Sequence, residues 1–258
     1  MAWSLIQSLK STSTGSPSTA VTAAFASNVT SGNRLFMFTT ALNNSATTDI
    51  AAPTESAGTA TVSAFTQLAT ASIVLGAAKL FVDIWTATVT GTGTCTLSAT
   101  SPSTASSELG WTAQEYSGLD ASAGAGCLDV AATGTGNNTT TATISTGTTA
   151  ATTGAGQLAL AVVGDWGASA TWTLSTANGF TKDAGASLDA DASAGMAVAY
   201  KTSASGATES CVWTNGAVSD SDQAAVAVIK LASGGGGSTQ TFPMRPARRA
   251  PIFRASTF

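Results

Sequence analysis

Leu80-Phe81-Val82-Asp83-Ile84-Trp85 is the stretch that decides the class of this 258-residue chain. Successive side chains of a strand point to opposite faces, so Leu80, Val82 and Ile84 share one face and Phe81, Asp83 and Trp85 the other, as in a strand of a packed sheet. Working outward, apolar or alternating runs of the same kind recur at 35–40, 80–88, 95–99, 111–116, 158–163, 196–200, 210–214 and 224–231, separated by Gly, Asn and Ser clusters. Alanine favours helices, but its runs here are broken by Thr, Ser and Gly, and apolar positions rarely recur at three and four residues. The expectation is an all-β chain with almost no helix.

Composition supports a folded body with few ion pairs. Charged residues make up 9% of the chain, yet the hydrophobic share is 43% and there are six tryptophans, which a disordered chain lacks. The acids and bases are unevenly spread: residues 1–233 hold all 14 acids and six of the ten basic residues, a formal −8, while the rest carries +4. An acidic body argues against nucleic-acid binding, which needs clustered Lys and Arg. Met1-Ala2-Trp3-Ser4-Leu5 lacks a basic region followed by a long apolar run, and no later segment approaches 18 apolar residues. A soluble protein without a classical export signal or membrane span is expected.

Two halves, about 1–122 and 123–232, echo each other. Gly32-Asn33-Arg34-Leu35-Phe36-Met37-Phe38 resembles Gly156-Gln157-Leu158-Ala159-Leu160-Ala161-Val162. Residues 79–85 and Cys95-Thr96-Leu97 parallel residues 195–200 and Cys211-Val212-Trp213, and Gly110-Trp111-Thr112-Ala113 parallels Ala225-Val226-Ala227-Val228. Either two small sandwiches or one jelly-roll-like sandwich with pseudo-repeated halves fits this pattern. The single sandwich, 1–232, is preferred, because Asn137-Asn138-Thr139-Thr140-Thr141 lacks Pro and runs on into alternating Ala142 and Ile144 rather than reading as a linker. The linker is 233–241, rich in Gly and Ser. Beyond it, 242–258 is an extended Arg/Pro-rich arm in which Arg245, Arg248, Arg249 and Arg254 are interleaved with Phe242, Ile252, Phe253 and Phe258. Arginine forks pair with carboxylates and apolar anchors fill pockets, so these eight residues are the expected partner-binding set.

Chemistry is harder to find. The chain has no His, which removes the commonest general base, the Ser-His and Cys-His nucleophiles and the usual metal ligand. Asp189 with Asp191, and Asp220 with Asp222, are close enough in sequence to suggest a glycosidase pair, but their small-residue surroundings read as surface loops carrying solvated acids. With Asp183 the same four offer oxygens for a hard cation, though their spacing matches no EF-hand loop. Neither a metal nor another cofactor is expected. Cys95, Cys127 and Cys211 form no Cys-x-x-Cys arrangement, and Cys95 and Cys211 read as small core residues. Trp85, Trp111 and Trp213 fall in strands and should be buried. Trp166 and Trp172 flank Gly167-Ala168-Ser169-Ala170, which reads as a loop, and are the candidates for stacking on a sugar.

Ser31-Gly32-Asn33-Arg34-Leu35 leading into a strand, Gln114-Glu115-Tyr116-Ser117-Gly118-Leu119-Asp120 closing the first half, and Gly156-Gln157-Leu158-Ala159-Leu160 opening the second carry a resemblance. Over residues 1–232 the chain resembles β-sandwich proteins of phages of high-GC bacteria, described as minor tail, head-fibre or capsid-decorating structural proteins. The resemblance implies a non-enzymatic virion component, assembled in the host cytoplasm and displayed on the particle surface. It also implies the major capsid or tail proteins as partners, with homo-oligomerisation on a symmetric particle. The alternative is a carbohydrate-binding module for host adhesion.

Overall fold

The computed structural model describes residues 2–16, 18–43, 50–101, 107–136, 143–165, 171–174, 178–189, 194–215 and 222–233, apart from the Leu75 side chain. The first half contributes β1 (Ser4–Lys10), β2 (Ala20–Ala24), β3 (Arg34–Asn43), β4 (Thr54–Gly58), β5 (Thr61–Val62), β6 (Thr66–Leu75), β7 (Ala78–Gly91), β8 (Cys95–Thr100) and β9 (Glu108–Ser117). The second contributes β10 (Leu128–Gly136), β11 (Thr143–Ser145), β12 (Gln157–Asp165), β13 (Trp172–Leu174), β14 (Thr181–Lys182), β15 (Met196–Ser203), β16 (Val212–Asn215) and β17 (Asp222–Ile229). Among the described residues the protein is all-β, with short 3-10 turns at Gly124–Cys127 and Ala184–Ala186.

Among the described residues the strands form four antiparallel sheets. In the first half a large sheet runs β1-β9-β3-β7, with β5 and β6 following one another along the outer edge of β7, and a small sheet runs β2-β8-β4. In the second half the large sheet runs β10-β17-β12-β15-β14 and the small one β11-β16-β13. The order β1-β9-β3-β7 thus recurs as β10-β17-β12-β15, and β2-β8-β4 as β11-β16-β13.

Three apolar layers separate the four sheets. Leu35, Met37, Phe81, Trp85, Trp111 and Leu97 belong to the layer between the sheets of the first half, and Ala161, Val226, Trp172 and Trp213 to that of the second. Between them the two large sheets lie back to back, joined by Phe36, Phe38, Val82, Ile84, Leu160, Val162, Val198 and Ala227. The described residues thus build three inter-sheet cores. The decisive run explains why: Phe81 and Trp85 face the first layer, Val82 and Ile84 the middle one. Strands apolar on both faces need a sheet on each side. Burying each large side chain contributes roughly 1.5–3 kcal/mol, so a large sheet exposed on either face would be unstable. The back-to-back contact is close enough that a Cβ on Gly164 would lie 2.5 Å from Thr40 Oγ1 and 2.7 Å from Val82 Cγ2.

Register shows where the two halves coincide. Gly32 and Gly156, with φ of 90° and 74°, precede β3 and β12. Counted from them, Ala41 and Asp165 occupy the same place. Ala41 pairs with Leu109 on β9 and Phe81 on β7. Asp165 pairs with Asp222 on β17, and its amide donates to Gly195 O at 3.0 Å. On the small sheets, the amide of Phe25 donates to Cys95 O as that of Thr146 donates to Cys211 O, so Ala99 matches Asn215 and Leu97 matches Trp213. Trp111 therefore corresponds to Ala224, two residues from the Val226 suggested by sequence alone. A shift of two keeps the same face of the strand, which is why it escapes a reading based on alternation.

Candidate functional site

Two of the motifs that carry the resemblance, Ser31–Leu35 and Gln114–Asp120, meet one another. Glu115, fully buried on β9, accepts from Asn33 Nδ2 at 2.7 Å, Thr30 N at 2.8 Å and Gln7 Nε2 at 2.6 Å. It thereby ties the turn before β3 to the end of the first half. Its neighbour Gln114 reaches across to the second half, donating to Asp183 Oδ2 at 2.6 Å, while Ser8 Oγ donates to the same carboxylate and Tyr116 Oη to Gln114 Oε1 at 3.1 Å. Arg34, 2% exposed, gives Nε and Nη2 to Asp120 O at 2.9 and 2.7 Å and Nη2 to Ser122 O at 2.6 Å. A buried charge persists when it is fully hydrogen-bonded. These groups secure the chain where it passes from one half to the other; their role is architectural.

The eight arm residues, Phe242, Arg245, Arg248, Arg249, Ile252, Phe253, Arg254 and Phe258, lie outside the described residues, as do Trp166, Asp191 and Asp220. Trp172 is corrected: it lies on β13 with no exposed surface, inside the core of the second half, and offers no platform to a sugar. The small residues before it suggested a loop, but the facing large sheet covers it. Trp85, Trp111 and Trp213 are buried, at 6%, 0% and 0% exposure. All three cysteines are free and buried, and burial pushes their thiols up, Cys95 to about 12. They are inert packing groups.

Of the acids, Asp222 departs from the loop reading, while Asp189 lies in a turn and forms an ion pair. Asp189 is paired with Lys182 Nζ at 2.7 Å, and Lys182 also donates to Trp172 O at 2.6 Å. Asp222 is corrected from solvated loop to β17, where it is 1% exposed and directly opposite Asp165, itself 1% exposed. Asn215 Nδ2 donates to Asp165 Oδ2 at 3.3 Å, and Asp165 Oδ1 is buried with no hydrogen-bond partner. Burial, and next the charge of Asp222, push the Asp165 carboxyl up to about 8. Sequence reasoning overlooked Asp165 because it ends a hydrophobic strand, far along the chain from any other acid.

Two clefts open elsewhere. One, of about 430 Å³, lies at the seam of the halves among Ala2, Trp3, Ala155, Gly156, Thr202 and Leu231. Trp3 stands edge-on to Tyr116 and Tyr200 there, at 5.8 and 6.0 Å. The other, of about 290 Å³, lies beside Pro53, Glu55 and Phe65. Neither contains the carboxylate pair.

No protein family, curated protein or solved structure matches this chain.

Proposed function

We propose that this chain is a non-enzymatic structural protein of a phage particle, made of two jelly-roll units back to back and fastened to the particle through the arm 242–258. The observation that carries the reading is the doubled strand order. In each half the first, last, third and third-from-last strands lie side by side, and the second, penultimate and fourth form the facing sheet. This order supports a jelly-roll reading, an arrangement that recurs in viral capsid and lectin domains. Fold analogy alone never assigns function, so the charge distribution matters as much: a −8 body joined through a Gly/Ser tether to a +4 arm with apolar anchors. Such a tether raises the effective concentration of the body at a repetitive surface once one arm has docked. The carbohydrate-binding alternative loses Trp172 as a contact.

Particles lacking this protein, mixed with the full chain and with a version ending at Ser233, test the proposal. Binding by the full chain alone is expected. Equal binding by both forms places the interface on the body and overturns the role of the arm; failure of both, with capture on a glycan array, favours adhesion instead.

A further inference from the structure

The inner end of the second sandwich departs from the first in a way the fold does not require. Around the place shared by Ala41 and Asp165, the first half has Ala41, Phe81, Leu109 and Ala99, all members of its apolar core. The second half has Asp165, Gly195, Asp222 and Asn215 at the matching positions. Three apolar side chains are replaced by two carboxylates and an amide, and the bulk of Phe81 by a glycine. Asp165 Oδ1 takes the vacated space, 2.3 Å from where a Cβ on Gly195 would stand.

This arrangement is costly without a ligand. Like charges directly opposite on adjacent strands repel, and a buried carboxylate oxygen without a partner is strongly disfavoured. Asp165 Oδ1 is such an oxygen. Five of the six basic side chains of the body are engaged elsewhere: Arg34 at Asp120 O, Lys79 over the Phe81 ring, Lys182 at Asp189, Lys201 at Glu209 and Lys230 at Gly126 O. A shared proton removes one of two negative charges; a divalent cation removes both and gives Oδ1 its partner.

We propose that Asp165 and Asp222 bind a hard divalent cation of the Ca²⁺ type, with Asn215 positioning the Asp165 carboxylate. Ca²⁺ accepts oxygen ligands in flexible geometry and completes its shell with water or backbone carbonyls, so two carboxylates suffice as the charged part of its site. Protons compete for the same oxygens. Among the described residues, the groups that face the pair or lie beside it include Asn215 on β16, Gly195 before β15, and the Lys182–Asp189 ion pair, whose Asp189 Oδ1 accepts from Trp172 N at 3.4 Å. The site does not depend on the particle reading.

Chelator-stripped full-length protein, titrated with CaCl₂ and separately with Tb³⁺ while its tryptophans are excited, tests the site. The expected result is a saturable rise in the unfolding midpoint with Ca²⁺ and sensitised Tb³⁺ emission that Ca²⁺ displaces, with affinity rising from pH 6 to pH 8. Asp165→Asn should weaken binding at least tenfold. A variant carrying the apolar set of the first half, Asp165→Ala, Asp222→Leu and Asn215→Ala, should fold and unfold at a midpoint that ignores Ca²⁺; should it fail to fold, the wild-type titrations still decide. A wild-type midpoint indifferent to millimolar Ca²⁺ with no sensitised Tb³⁺ emission overturns the proposal and leaves a proton-sharing carboxyl pair, and so does an Asp165→Asn protein that binds as tightly as wild type.

Discussion

The two outer cores place their bulk on opposite sheets. In the first half the indoles of Trp85 and Trp111 belong to the large sheet and meet a small sheet of modest residues, Val21, Cys95, Leu97 and Ala99. In the second half the large sheet presents Ala159, Ala161, Ala197, Ala199 and Ala224, and the indoles of Trp172 and Trp213 come from the small sheet. At matching positions Trp111 and Leu97 become Ala224 and Trp213. The comparison teaches that such a core is specified by the summed volume across the gap, since packing density must be kept whichever sheet supplies the bulk.

The largest expected effect follows from breaking that complementarity. Trp213→Ala should destabilise the chain by about 3–5 kcal/mol in denaturant unfolding, because it removes a fully buried indole from the core of the second half. Trp213→Leu combined with Ala224→Trp recreates the arrangement of the first half, and the pair should be less destabilising than its two single changes added together, with a coupling of about 0.5–3 kcal/mol. Strict additivity would break the volume argument.

The carboxylate pair sharpens the comparison through pH. The folded carboxyl of Asp165 is raised to about 8, whereas an unfolded Asp titrates near 3.9. Between these values the folded state binds the extra proton, so its contribution to stability is fully present below about pH 4 and is lost as pH rises through about 8. In the presence of chelator, wild-type stability should fall relative to Asp165→Asn by up to about 1.4 kcal/mol per pH unit across that window. Parallel profiles for the two proteins would remove the carboxyl pair as a distinguishing feature of the second half.

Arg34 is a third point of contrast, since its counterpart on β12 is the apolar Leu158. Arg34→Leu should cost about 1–3 kcal/mol, because the carbonyls of Asp120 and Ser122 lose charged donors in a partly buried place. An unchanged unfolding midpoint would show that the passage between the halves needs no such clasp. The smallest effect is expected from deleting 234–258: the melting transition should be nearly unchanged, and a large loss would show that the arm packs on its own body.

Eight strands were legible as apolar runs, because strong alternation or continuous hydrophobicity survives in sequence. β6 (TQLATASIVL) and β10 (LDVAATGTG) were not, since their Thr, Gly and Ala mixtures contrast weakly from one residue to the next. They are strands because β7 and β17 pair with them, and propensity in sheets follows such context. The burial of Trp85, Trp111 and Trp213 was legible for the same reason as their strands. That of Trp172 was not, because small residues precede it and nothing local shows that the facing large sheet covers it. Asp222 was hidden by its setting after Ser219-Asp220-Ser221, where nothing local marks an acid as buried.

By itself the sequence determined the β class, the two faces of each central strand, the echo between halves, the absence of histidine chemistry and the separation of an acidic body from a basic arm. All of these rest on composition or on a period of two residues, which are local. Only the tertiary structure decided that the large sheets stack back to back, that Trp213 takes over the space filled by Trp111 in the other half, and that Asp165 lies opposite Asp222. Those depend on which distant strands pair and in what register, and alternation alone cannot distinguish registers that differ by two.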